Sequence, residues 1–336
     1  MAHFKVLSID GGGIKGLYSA KVLATFEESF KTSLSDHFDL ICGTSTGGLI
    51  ALAASLKIPM SEVVDFYKVH GNDIFASKLK FLGSFGNALL GVKQALFTSK
   101  YRQKSLREAL EKVFGSRKLG ESNNLLCIPA YNLTSAQPRI FKRDYMSLDR
   151  DNNLSYVDVG LATSAAPTYF PIKEIESNDY VDGGLFANNP VLVGLTEYLF
   201  KWSKENLFDG VDILSISSCE KGLAWSPKHL RRSFFSWREN LFDCYSHGQI
   251  MNEEFFLKQL KDSNSLKFDL NIVRVNNTPF SSQQEKYVNM DNASKQSLKI
   301  LEGIGEQTGN TYKEKQAVKA FFSKFKTINP NDYGKQ

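Results

Sequence analysis

A serine stands between glycines in "GTSTG", Gly43 to Gly47, directly after the apolar run "FDLIC" and directly before "GLIALAASL". G-x-S-x-G between a strand and a helix is the pattern of a nucleophile elbow. Glycines such as Gly43 and Gly47 remove Cβ atoms where the chain turns sharply, and Ser45 is left at the positive end of a helix. A serine hydroxyl attacks an ester only when a neighbouring base takes its proton. The histidines, His3, His37, His70, His229 and His247, include none in a segment resembling the loop that carries a hydrolase histidine. A carboxylate is the better candidate. In "DYVDGGLFANNPV", Asp182 ends a short strand, and Gly183 and Gly184 permit a tight turn that can face it toward Ser45 across the C-terminal ends of the strands. Partial burial there would raise its pKa toward that of a working general base.

A second cluster, "DGGGIKG" from Asp10 to Gly16, lies between an apolar strand and an amphipathic helix. Gly11, Gly13 and Gly16 fit G-x-G-x-x-G, a spacing that serves two chemistries: holding a dinucleotide, or presenting backbone N–H groups to a developing oxyanion. A dinucleotide site also wants an acidic residue about twenty positions on, at the end of the next strand. Asp36 has the distance but precedes its strand, and a nucleotide-binding module would leave the elbow unexplained.

These groups need a scaffold that brings strand ends together. Apolar runs followed by helical patterns recur, "FKVLSID" then Gly16 to Lys31 and "FDLICGTS" then Thr46 to Leu56, which predicts an α/β fold with helices flanking a sheet. Further strand candidates are "NLLCIPAYNL", "RIFKRD", "DYVDGG" and "VDILSISSC". The first helix carries Leu17, Ala20, Leu23, Ala24, Phe26 and Phe30 on one face for packing on that sheet. Beyond about residue 220 the pattern turns more helical and polar. The expected organisation is a core over 4–220, a helical C-terminal region over 221–336 packed on that core, and a solvated tail in "KTINPNDYGKQ".

Composition sets outer bounds. With 42% hydrophobic and 23% charged residues over 336 positions, the chain can bury a large core and is not a disordered polymer. A net charge of +5 suits an anionic surface but does not indicate a nucleic-acid polymer as partner. The cysteines, Cys42, Cys127, Cys219 and Cys244, are widely spaced without a C-x-x-C pair, so free thiols in a reducing, cytoplasmic compartment are expected. No metal-binding cluster such as H-E-x-x-H occurs, so metal-independent chemistry is expected. No apolar run approaches the roughly 20 residues of a membrane-spanning helix, which leaves peripheral contact with the inner face of a membrane.

Taken in order and context, "DGGGIKG", "GTSTG" and "DGG" resemble the three signature blocks of the patatin-like phospholipase family. "LATSAAPTYFP" and "IPAYNLTSAQPRIFK" are similar to the segments lying between the nucleophile and the acid. The resemblance implies a patatin-like three-layer α/β/α sandwich with a central, mostly parallel sheet. It implies Ser45 as nucleophile, Asp182 as its partner in a Ser-Asp dyad, and Gly11, Gly12 and Gly13 as the oxyanion loop. Elbow logic adds the amide of Thr46. Lys15 stands where the family carries a basic residue, with loop ordering or contact with lipid phosphate as its role. The substrates implied are membrane phospholipids cleaved at a fatty-acyl ester, and no cofactor is needed. The compact form further resembles bacterial effector phospholipases of antiphage systems, which implies a cyclic dinucleotide as activator. A constitutive lipid acyl hydrolase is the alternative.

Two basic, aromatic stretches remain. Ser77 to Arg107 contains no acidic residue, and its Lys78, Lys80, Phe81, Phe85 and Lys93 suggest a lid or interfacial segment drawn to anionic headgroups. Trp225 to Asn240 could contact a membrane, a second copy of the chain in a homo-oligomer, or a nucleotide whose phosphates and bases would meet Arg231, Arg232 and Trp237.

Overall fold

The computed structural model describes residues 2–74, 103–221, 234–263 and 266–333, with backbone alone for 234–243. Its strands are β1 (Ala2–Ile9), β2 (Leu40–Gly43), β3 (Leu125–Asn132), β4 (Gln137–Lys142), β5 (Lys173–Ile175), β6 (Asn178–Asp182), β7 (Phe208–Ile216) and β8 (Asp269–Val275). They form one sheet in the order β5-β6-β3-β2-β1-β7-β8, with β4 pairing with β3. The run β3-β2-β1-β7-β8 is parallel, and β4, β5 and β6 join through antiparallel pairs.

A central parallel strand is covered on both faces, so it reads as a nearly continuous apolar run rather than a clean alternation. In β1, Phe4 and Val6 enter one hydrophobic cluster, and Leu7 and Ile9 enter another on the opposite face. The Leu7 face is covered by α1 (Gly16–Phe30), α2 (Thr46–Ser55), α3 (Met60–Ile74), α4 (Gln103–Phe114) and α5 (Tyr156–Thr163). The Phe4 face meets α6 (Val191–Glu197) and, through Leu257, α7 (Phe234–Asp262). Every residue of α2 is buried, as expected of a helix that is apolar all round.

The C-terminal part departs from the expected helical extension. It adds β8 to the sheet edge and returns α8 (Lys295–Lys313) and α9 (Gln316–Phe322) to the Leu7 face, where α8 lies along α1. The predicted solvated tail is docked as far as Tyr333. Buried Asp39 accepts backbone N–H bonds from Thr327 at 2.6 Å and Ile328 at 2.7 Å, and Ile328 is fully buried. A buried carboxylate needs such donors, and the polar letters of the tail concealed that it supplies them. Among the described residues, no helix is long and apolar enough to cross a membrane.

Candidate active site

Ser45 sits between β2 and α2 with φ 54° and ψ −124°, a conformation L-residues rarely adopt. Such strain costs roughly 1–3 kcal/mol and persists only where the surroundings enforce it. Here the enforcement is close packing. A Cβ on Gly47 would lie 2.3 Å from the Ile9 carbonyl oxygen, and one on Gly43 would lie 2.1 Å from that of Gly47. The elbow is therefore pressed against the end of β1, with both glycines required by proximity.

Asp182 closes β6, which pairs antiparallel with β3, and this brings its carboxylate over the elbow. Ser45 Oγ donates to Asp182 Oδ2 at 2.7 Å, while Oδ1 accepts from the Gly184 amide at 2.7 Å. Burial pushes the Asp182 pKa up to about 6, and the bonds from Ser45 and Gly184 hold it from rising further. A general base works in its ionised form. Activity on a soluble ester should therefore level off above about pH 6 and fall tenfold per pH unit below it, as a kcat/KM profile would record.

The glycine loop approaches from β1. Gly12 and Gly13 line the cavity above Ser45, and Gly13 has φ +60°, where a Cβ would also strike the Met290 carbonyl oxygen at 2.3 Å. Gly11 departs from the expected oxyanion role, because its amide donates to the Asn188 carbonyl at 2.9 Å. The Gly12 amide reaches Thr46 Oγ1 at 3.2 Å, tying the loop to the elbow. Lys15 is near the loop, with Nζ 3.5 Å from the Cys219 carbonyl oxygen.

Ser45, Thr46, Asp182, Gly12 and Gly13 share a cavity with Leu49, Phe66, Ile74, Leu106, Tyr169 and Phe170. No histidine lines it among the described residues. An ester carbonyl can sit at its polar floor while a hydrocarbon chain lies against its walls. Ile74 and Leu106 flank segment 75–102 in the chain. Lys78, Lys80, Phe81, Phe85 and Lys93 thus lie outside the described residues, as do Arg231, Arg232 and the side chain of Trp237.

Several supporting groups carried no role in the sequence reading. Thr163 Oγ1 accepts from the Ser45 amide at 3.0 Å and donates to the Pro129 carbonyl at 2.6 Å, so it braces the elbow. Thr163→Val keeps the shape and removes both bonds. A loss of about 1–3 kcal/mol in stability should follow, with kcat reduced and KM spared if the elbow is what moves.

Asp10, fully buried, anchors the loop to β8. Arg274 grips it with Nη1 at 2.9 Å from Oδ1 and Nη2 at 2.6 Å from Oδ2, and also meets Glu220 at 2.9 Å and Glu254 at 3.2 Å. Burial raises the Asp10 pKa to about 6, against the downward pull of Arg274. Arg274→Met would strand a buried carboxylate, and denaturant unfolding should show a loss of about 3 kcal/mol or more. Asp36, the candidate ribose ligand of a nucleotide fold, instead pairs with Lys57 at 2.7 Å on the surface before β2.

A parallel sheet, a strained serine at an elbow and a buried aspartate within hydrogen-bond reach define a hydrolase-type scaffold. The family model for patatin-like phospholipases matches residues 7–195, and the chain belongs to that family of lipid hydrolases. It is 34% identical over 269 residues to a cGAMP-activated phospholipase of Pseudomonas aeruginosa, an alignment covering 79% of this chain and 78% of that protein. A cGAMP-activated phospholipase of Escherichia coli is 30% identical over 343 residues, covering 95% and 92%. Among solved structures, human GIVD cytosolic phospholipase A2 aligns over 96% of this chain and 60% of its own at 10% identity and TM-score 0.44.

Proposed function

We propose that the protein is a phospholipase A-type acyl hydrolase that works through a Ser45-Asp182 dyad and is switched on by a cyclic dinucleotide. The observation that carries the chemistry is the 2.7 Å bond from Ser45 Oγ to a carboxylate buried at the floor of an apolar cavity. Asp182 Oδ2 takes the proton as Ser45 Oγ attacks the acyl carbonyl carbon. The oxyanion forms beside the amides of Gly13 and Thr46, and Gly12 joins when its N–H exchanges the Thr46 hydroxyl for the oxyanion. Collapse breaks the ester bond, and Asp182 returns the proton to the departing lysophospholipid alkoxide. Water, deprotonated by the same carboxylate, then attacks the acyl-enzyme and frees the fatty acid and Ser45. Preorganised donors of this kind contribute about 10²- to 10³-fold each.

Activation by a nucleotide rests on the two bacterial relatives, both aligned over more than three quarters of either chain. Such an enzyme acts at the membrane surface as a peripheral protein in an antiphage response. The experiment is fatty-acid release from mixed phospholipid vesicles, with and without cGAMP. Release that depends on cGAMP is the expected result. Equal release in its absence would favour a constitutive lipid acyl hydrolase, and no release from any ester would remove the catalytic reading.

A further inference from the structure

Behind the glycine loop lies a second cavity, which shares Gly12, Asn188 and Met290 with the one over Ser45. Its lining is of opposite character. Lys15, Lys221, Ser218, Ser246 and His247 line it, bringing ammonium, hydroxyl and imidazole groups together, while the Asn289 amide at its wall donates to the Lys286 carbonyl at 3.0 Å. Ser246 Oγ is buried without a hydrogen-bond partner among the described residues, although Ser246 is only 8% exposed. A buried hydroxyl in that state calls for a ligand or solvent partner. Lys221 Nζ donates to Asn289, so the cation is held at the wall. Glu220 also borders the cavity, with Oε1 held by Arg274 at 2.9 Å and Oε2 3.8 Å from His247 Nδ1. Donors aimed at one space with a paired carboxylate are suited to an anion rather than a cation or a hydrocarbon.

The same wall reaches the catalytic aspartate. Ser246 and His247 belong to α7, and on that helix Tyr245 Oη and Gln249 Nε2 donate to the Leu185 carbonyl at 2.6 and 3.1 Å. Leu185 is the residue after Gly184, whose amide holds Asp182. Glu254, further along α7, meets Arg274, which holds Asp10 at the head of the glycine loop. One helix thus contacts the loop after Asp182 directly and the glycine loop through Arg274.

We propose that this cavity binds the phosphate of a phosphodiester, and that occupancy is felt at both loops through α7. The inference rests on the reading of the protein as a nucleotide-switched phospholipase and gives the phosphate a place. Two sources carry the same chemistry, a cyclic dinucleotide and a phospholipid headgroup. Each can be probed alone by calorimetry: cGAMP without lipid, and dihexanoyl phosphatidylglycerol below its micelle concentration, the latter in a Ser45→Ala background that prevents turnover.

Lys221→Gln should weaken binding of the cognate probe about tenfold or more, the scale of one charge-assisted hydrogen bond. Ser246→Ala, which removes only a hydroxyl, should weaken it severalfold, and thermal unfolding should report a folded chain for both. Loss confined to cGAMP assigns the site to the nucleotide, and loss confined to the lipid assigns it to the headgroup. Unchanged affinities in both folded variants would overturn the proposal, as would a folded wild type that binds neither probe. Fatty-acid release by the wild type, measured in parallel, keeps that failure distinct from failure of the catalytic reading.

Discussion

Ser45→Ala will abolish fatty-acid release, with kcat falling by at least about 10⁴-fold, because no other group stands in the place of the attacking oxygen. The substitution deletes the atom that bonds Asp182 Oδ2 and leaves Oδ1 on the Gly184 amide. The buried carboxylate then loses a bond that held its pKa down, so the variant should bind a proton at higher pH than the wild type. Two measurements check the assignment. Vesicle assays should show turnover vanishing, and a fluorophosphonate probe should label wild type with a mass shift that the variant lacks. A variant retaining more than about one per cent of wild-type kcat would require a different nucleophile, since loss of a true nucleophile is far more damaging.

Asp182→Asn will cost about 10³- to 10⁴-fold in kcat, at the upper end of what a general base supplies. The shape is conserved, yet an amide cannot take the Ser45 proton. The side chain must also turn its NH₂ toward either the Ser45 hydroxyl or the Gly184 N–H, both of which are donors in the native arrangement. Stability should not fall in step with activity. Removing a charge from a fully buried site offsets the disturbed hydrogen bonding, so the melting temperature should stay close to that of wild type. The residual activity should lose the acidic limb near pH 6. A variant that keeps that limb would assign it to another group, for which Asp10, also raised to about 6, is the first to test.

The three signature blocks exposed the dyad, the elbow and the glycine loop because each joins a strand end to a turn, and such junctions are written in adjacent letters. The groups that hold those blocks in place were not legible. Thr163 looks like any residue in a small-residue helix until β3 places the Pro129 carbonyl beneath it. Arg274 lies in "DLNIVRV", a short run inside a region whose pattern otherwise reads as helical and polar, so β8 and its grip on Asp10 do not stand out from the letters. Gly11 shows the same dependence on tertiary contact. Its glycine identity follows from close approach to Asn188 and Ser45, but whether its amide is available depends on the Asn188 carbonyl, 177 residues away. Pattern finds atoms that act, and tertiary contact decides which backbone donors remain for them.

Every residue of the dyad, the elbow and the glycine loop precedes position 185, whereas several of the groups that steady them come from much later in the chain. Arg274 neutralises Asp10, the Met290 carbonyl accepts from the Ile14 amide beside the loop, and Thr327 and Ile328 strap Asp39 at the base of β2. A nascent chain emerging from the ribosome therefore displays its whole catalytic alphabet long before the glycine loop has its counter-charge or its brace. A chain stopped before β8 would carry every residue of the dyad yet lack both the Arg274 grip on Asp10 and the Met290 brace on the glycine loop.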